Sequence, residues 1–151
     1  MSGICARRAL LSALVLSIAA CANPSRSTAD PLSGTTWRLQ AIQSMDDAQG
    51  TTRIPESRRF TLQFSADGRA SLQLDCNRGS GTWQAKASSQ DSGTLTFGPI
   101  AATRALCAPP HLDERVARDL AHVRSYRIID GKLFLSLMAD GGIYEWTPHH
   151  E

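Results

Sequence analysis

No apolar run in the 151 residues is long enough to cross a bilayer. The longest, residues 9–20, has 12 residues where a spanning helix needs about 20. An excess of one charge sign is also missing. The whole chain carries 16 Lys and Arg against 14 Asp and Glu, and loss of Arg7 and Arg8 with the leader argued below leaves 14 against 14. Without a basic stripe there is little to neutralise phosphates, which excludes nucleic acid as a partner. The same lack excludes polybasic attachment to anionic lipid. The 11 Gly and 7 Pro follow no period, so collagen-like and repeat-array folds are excluded. Catalytic signatures are absent too. Gly79-Ser80-Gly81 has the wrong spacing for a nucleophile elbow, and no Gly-x-x-x-x-Gly-Lys-Ser/Thr loop exists to cradle phosphate. His111 and His122 lack motif partners, and His149-His150-Glu151 is a terminal run without a fixed metal geometry. No catalytic residue, metal or cofactor is therefore expected.

What is present begins with an address. Arg7-Arg8 precede the apolar run and Ile18-Ala19-Ala20-Cys21 closes it. A charged start, a short apolar centre and small residues at the end read as a secretory signal peptide over residues 1–20. Ile18-Ala19-Ala20-Cys21 resembles the bacterial lipobox, in which the cysteine becomes the acylated first residue of the processed protein. That resemblance implies lipidation of Cys21 by acyl chains such as palmitate. At about 0.8 kcal/mol per buried CH₂, several chains make the membrane anchor effectively permanent. Lipoproteins kept in the inner membrane often carry Asp after the cysteine. This chain has Ala22, so the expected location is the outer membrane, facing the periplasm. The lipidated cysteine and a polar stretch rich in Ser, Pro and Thr, residues 21–31, form a flexible tether. The alternative is ordinary secretion with cleavage after Ala20.

Cys5 departs with the leader and Cys21 carries lipid. Cys76 and Cys107 then remain as an even pair in an oxidising compartment. Their expected disulfide closes a separation of 31 residues. The chain-entropy model gives such a closure roughly 3–4 kcal/mol. A redox pair or a metal site is the alternative. The lack of a Cys-x-x-Cys, and of any nearby histidine except His111 beyond two prolines, disfavours both.

Residues 32–148 read as one domain, followed by a short tail at 149–151. Segments 36–42, 59–64 and 70–76 alternate apolar and polar, as half-buried strands do. Residues 45–55 read as a loop. The second and third strands flank Asp67-Gly68, a hairpin signal, and the alternation places Cys76 on the inward face with Ala70, Leu72 and Leu74. Residues 77–81 read as a turn cluster, and 82–85 and 94–97 as short strands around a polar loop at 87–93. After Pro109-Pro110, one amphipathic helix is expected. Leu112, Val116, Leu120 and Val123 lie on its inner face, with Asp113, Glu114, Arg115, Arg118 and Asp119 outside. Segments 125–129, 132–138 and 143–146 follow, joined by Asp130-Gly131 and Asp140-Gly141-Gly142. The fold class is therefore mainly β with one helix (α+β). The architecture is a curved antiparallel sheet or a partly closed small β-barrel, since closure removes exposed edges. No β-α-β rhythm supports a doubly wound parallel sheet.

Four segments carry a further resemblance. They are Gly34-Thr35-Thr36-Trp37-Arg38-Leu39, Phe64-Ser65-Ala66-Asp67-Gly68, Cys76-Asn77-Arg78 with Gly81, and the stretch from Phe97-Gly98-Pro99 to Thr103-Arg104-Ala105-Leu106-Cys107. In this order, with the helix and Leu133-Phe134-Leu135 after them, they resemble the META (HslJ-like) domain family across residues 32–148. The family often has Gly where this chain has Asp75. The resemblance implies a β-rich domain with a helix packed on a curved antiparallel sheet. It also implies an association with envelope stress, the heat-shock response and, in some members, antibiotic resistance. It carries no established catalytic residues. The expected function is a non-enzymatic envelope lipoprotein that binds an envelope protein or a small ligand. The alternative is an inhibitor or structural module that presses an exposed loop into an envelope enzyme such as a cell-wall hydrolase. Asp75, Asn77, Arg78 and Arg104 are candidate binding residues, gathered by the disulfide at one end of the barrel. A competing reading makes Asn77 a turn residue and has the arginines satisfy carbonyls or pair with Asp75.

The lipobox reading has a direct test. Cys21→Ser should leave unprocessed precursor and abolish labelling by a fatty-acid probe, and persistent labelling would refute it.

Overall fold

A strand with alternating apolar residues buries one face only if the sheet packs on something, and here the sheet packs on itself. The computed structural model describes residues 30–56 and 59–150. The signal peptide, Cys21, nearly all of the tether and Glu151 lie outside the described residues. In chain order the elements are β1 (Thr35–Gln43), β2 (Thr51–Arg53), β3 (Phe60–Phe64), β4 (Arg69–Leu74), β5 (Asn77–Ser89), β6 (Ser92–Phe97) and β7 (Ala101–Ala102). Then come α1 (Leu112–Leu120), β8 (Val123–Ile129), β9 (Lys132–Leu137) and β10 (Ile143–Pro148).

Antiparallel neighbours run β1-β3-β4-β5-β6-β8-β9-β10, and β10 returns to pair with β1, from Trp37 opposite Pro148 to Gln43 opposite Ile143. The result is a closed eight-stranded barrel, with β2 and β7 added beside β1 and β5. Its interior is filled. Phe64 stands edge-on to Trp83 with ring centroids 5.1 Å apart, and Leu62, Leu95, Tyr126, Leu135, Tyr144 and Trp146 are all buried. At the β8–β9 hairpin, Asp130 and Gly131 have φ values of 51° and 73°. Two successive left-handed residues are what a two-residue turn needs to match the strand twist, which is why Asp-Gly sits there.

Four sequence-based expectations change. Residues 77–81 are not a turn but the start of β5, one strand of 13 residues. Its glycines read as turn signals but mark a close approach. A Cβ on Gly81 would lie 2.7 Å from the Ile100 side chain and 3.0 Å from the Pro99 carbonyl oxygen. The expected loop at 45–55 contains the short strand β2, and the loop at 87–93 shrinks to a tight connection between β5 and β6. The helix ends at Leu120, so Val123 opens β8 and His122 lies beyond the last turn.

The helix crosses one mouth of the barrel. Leu112, Val116 and Leu120 join the core, Asp113 is tied to β5 by Asn77, and Asp119 is tied to β10 by Tyr144. β5 and β10 lie on opposite walls of the barrel, so nine residues of helix bridge the opening. The Tyr144 hydroxyl donates to Asp119 Oδ2 at 2.6 Å. Burial, helped by that carboxylate, pushes its phenol well above the ordinary range.

Gly93 provides a check on barrel closure. It faces Tyr126 across the β6–β8 pair, and a Cβ there would fall 2.8 Å from Tyr126 Cε1 and 2.9 Å from Ala87 Cα. Gly93→Ala should cost about 2–3 kcal/mol and lower Tm by roughly 10 °C in thermal unfolding.

Candidate functional site

Between β7 and α1 the chain runs through Thr103-Arg104-Ala105-Leu106-Cys107 outside the barrel wall. A surface segment of this kind needs partners for its backbone polar groups. One side chain supplies several of them. Asn77, the first residue of β5, is 2% exposed. Its Oδ1 accepts from the Thr103 hydroxyl and from the Ala105 N–H, both at 2.8 Å. Its Nδ2 donates to the Ala105 carbonyl and to Asp113 Oδ2, both at 2.9 Å, and lies 3.3 Å from Cys107 Sγ. Two further bonds tie the segment to Arg78, from the Arg78 N–H to Thr103 Oγ1 and from the Thr103 N–H to the Arg78 carbonyl. Losing the Asn77 amide would leave the Asp113 carboxylate and the Ala105 N–H without it, at roughly 1–3 kcal/mol for each stranded group.

The Cys76–Cys107 disulfide closes the same join, with an S–S distance of 1.99 Å and Cα atoms 5.6 Å apart. The two sulfurs belong to unlike surroundings. Cys107 is 4% exposed. Cys76 is exposed, contrary to the inward position its alternation suggests. The physical reason is that β4 stops at Leu74 and Asp75, with φ 57°, turns the chain, so the strand's parity no longer applies. Asp is one of the few side chains that tolerates this left-handed φ, which otherwise favours Gly.

Segment and helix together wall a cleft of about 330 Å³. Leu74, Asn77 and Ile100 line its inner part, with Arg104, Glu114 and Arg118 among the lining residues. Asp113 lines it too and is 6% exposed. Its Oδ2 is held by Asn77, while its Oδ1 has no hydrogen-bond partner among the described residues.

Of the four candidate binding residues, the cleft takes Asn77 and Arg104 but not Asp75 or Arg78. Asn77 is a buried strand residue and not a turn residue. Its polar atoms are already engaged, so it positions the cleft walls. The residue in the strained turn is Asp75. Arg78 and Arg104 are both exposed. Asp113 escaped the sequence reading because it was assigned to the helix's outer face. Its signal was that 113, 116 and 120 are also at helical spacing, which sets it at the border of the apolar stripe.

The disulfide's contribution is measurable. Cys76→Ala or Cys107→Ala should cost about 3–4 kcal/mol, and the double replacement about the same, since one bond is lost in each case. Thermal unfolding with and without reductant checks this, and strictly additive losses would refute it.

Comparisons with known proteins agree with this architecture. The META domain model matches residues 30–148. A protein from Burkholderia xenovorans, solved by NMR, is 22% identical with a TM-score of 0.64, covering 93% of this chain and 100% of its own. A DUF4847 family protein from Bacteroides vulgatus, solved by crystallography, is 13% identical with a TM-score of 0.56, covering 80% and 96%. At these identities the likeness is one of fold. No curated protein matches the sequence. The family model spans the barrel, the crossing helix and the disulfide-pinned segment, and on that match the chain belongs to the META domain family.

Proposed function

We propose that this protein is a non-enzymatic envelope lipoprotein. It is anchored through Cys21 in the outer membrane, and its META domain binds a partner protein or a small ligand during envelope or heat-shock stress. The observation that carries the reading is the cleft between the pinned segment and α1. It joins a buried, half-partnered carboxylate at Asp113 to charged side chains at Arg104, Glu114 and Arg118. The barrel interior is occupied by its own side chains, so binding falls to the outside of the barrel. A segment held by a disulfide and by Asn77 is ordered before it binds, which lowers the entropic cost of association.

One observation favours the second reading, an inhibitory or structural module acting on an envelope enzyme such as a cell-wall hydrolase. Leu106 is 91% exposed on the braced segment, between the buried Cys107 and the cleft-lining Ala105. A large apolar side chain held out on a rigid support is suited to insertion into a partner's pocket.

Crosslinking in intact cells separates these readings. A photo-reactive residue at Arg104 or Leu106 should yield a discrete adduct in stressed cells, and one at Gln49 on the exposed loop before β2 should not. A protein adduct strongest from Leu106 supports the module reading. Equal adducts from all three positions would refute both.

A further inference from the structure

The disulfide is asymmetric in a way that a purely structural staple does not require. Its Cys76 end lies in the exposed β4–β5 turn, while its Cys107 end, the last residue of the pinned segment, is 4% exposed. Thiol–disulfide exchange proceeds by attack of a thiolate on one sulfur with the other as leaving group, so access decides which sulfur is struck. We propose that Cys76 is a thiol-exchange site. An external thiol or dithiol attacks it, and the exchange unlatches the segment that walls the cleft.

The step balances as follows. The incoming thiolate forms a bond to Cys76 Sγ as the Cys76–Cys107 bond breaks. The electron pair leaves on Cys107 Sγ, which takes a proton from water. A second external thiol then attacks the mixed disulfide, releasing Cys76 as a thiol and the oxidised external disulfide. The sum is a two-electron reduction of the protein pair by two thiol groups. Asn77 Nδ2 lies 3.3 Å from the departing Cys107 sulfur, with its two hydrogens also shared by the Ala105 carbonyl and Asp113 Oδ2. Attack from the other side would require the segment to lift before the sulfur could be reached.

The consequence is local because of where the bond lies. The ladders that close the barrel contain neither cysteine. Residues 103–107, by contrast, are joined to β5 by the disulfide and by a handful of bonds to Asn77 and Arg78. Reduction thus leaves the barrel closed and releases one wall of the cleft. This inference concerns the disulfide's chemistry and stands whether or not the cleft binds the ligand or partner proposed above.

The test uses the protein in its oxidised form, with any free thiol first blocked by N-ethylmaleimide. Brief exposure to glutathione and an acid quench are followed by trypsin. Trypsin places Cys76 in a peptide of residues 70–78 and Cys107 in one of residues 105–115. The glutathione adduct should fall on Cys76 at least tenfold over Cys107. In the single variants, the Cys76 thiol of Cys107→Ser should react with a disulfide probe at least tenfold faster than the Cys107 thiol of Cys76→Ser. After full reduction, the amides of Thr103 and Ala105 should exchange hydrogen at least tenfold faster, with the β1–β10 amides unchanged. An adduct favouring Cys107 would overturn the proposal. So would equal thiol rates, exchange only at denaturant concentrations that unfold the barrel, or equal acceleration of the β1–β10 amides.

Discussion

Everything in this molecule depends on the pairing of its first long strand with its last. β1 and β10 meet along their lengths, and the Gln40 side chain donates to Thr147 Oγ1 across 107 residues of chain. Closing so long a loop costs little more than closing a short one, because the entropy grows only logarithmically with length. What the closure returns is cooperative. It removes two sheet edges that would otherwise offer unpaired backbone groups to other chains. It also turns the buried face of each of the eight strands toward a common interior. Register is set where the chain cannot slip: the bulge between Leu39 and Ala41 lets both Ala41 and Ile42 be buried on the same strand.

Outside that barrel the forces differ in kind. The helix is held by an apolar stripe and by two polar ties, Asn77 with Asp113 at its start and Tyr144 with Asp119 near its end. The segment of residues 103–107 has little apolar burial apart from Cys107, and it relies on hydrogen bonds to Asn77 and Arg78 and on one covalent bond. Structure held in this way opens at lower free energy than the core. A well-packed barrel therefore carries, on one flank, a cleft wall whose order depends on a few named groups. Recognition surfaces and switches are commonly drawn from such regions, and both the proposed binding and the proposed exchange at Cys76 fall there.

The sequence showed much of the fold because alternation and turn chemistry are local. Asp67-Gly68, Asp130-Gly131 and Asp140-Gly141 sit at three turns, and residues such as Phe60, Leu62 and Phe64 alternate inward as their spacing requires. The Cys76–Cys107 pairing was legible because the leader and lipobox readings set Cys5 and Cys21 apart, which left these two cysteines to each other. The start of β5 was not legible. Gly79 and Gly81 are equally compatible with a turn and with a strand over which Ile100 packs, and only the position of Ile100 decides between them. Cys76 was misplaced for a related reason, since strand parity fails once a residue such as Asp75 takes a left-handed φ.

By itself, then, the sequence determined what depends on near neighbours: strands, turns, one helix, a pair of cysteines and the resemblance to a family. Tertiary structure decided what depends on distant groups meeting. It closed the sheet into a barrel, buried Asn77 among Thr103, Ala105, Cys107 and Asp113, and put Asp113 inside rather than on the helix's outer face. The physical reason is that a hydrogen-bonding side chain such as Asn77 has no preferred partner until the fold supplies one. Its burial becomes tolerable only when its donors and acceptor are satisfied together.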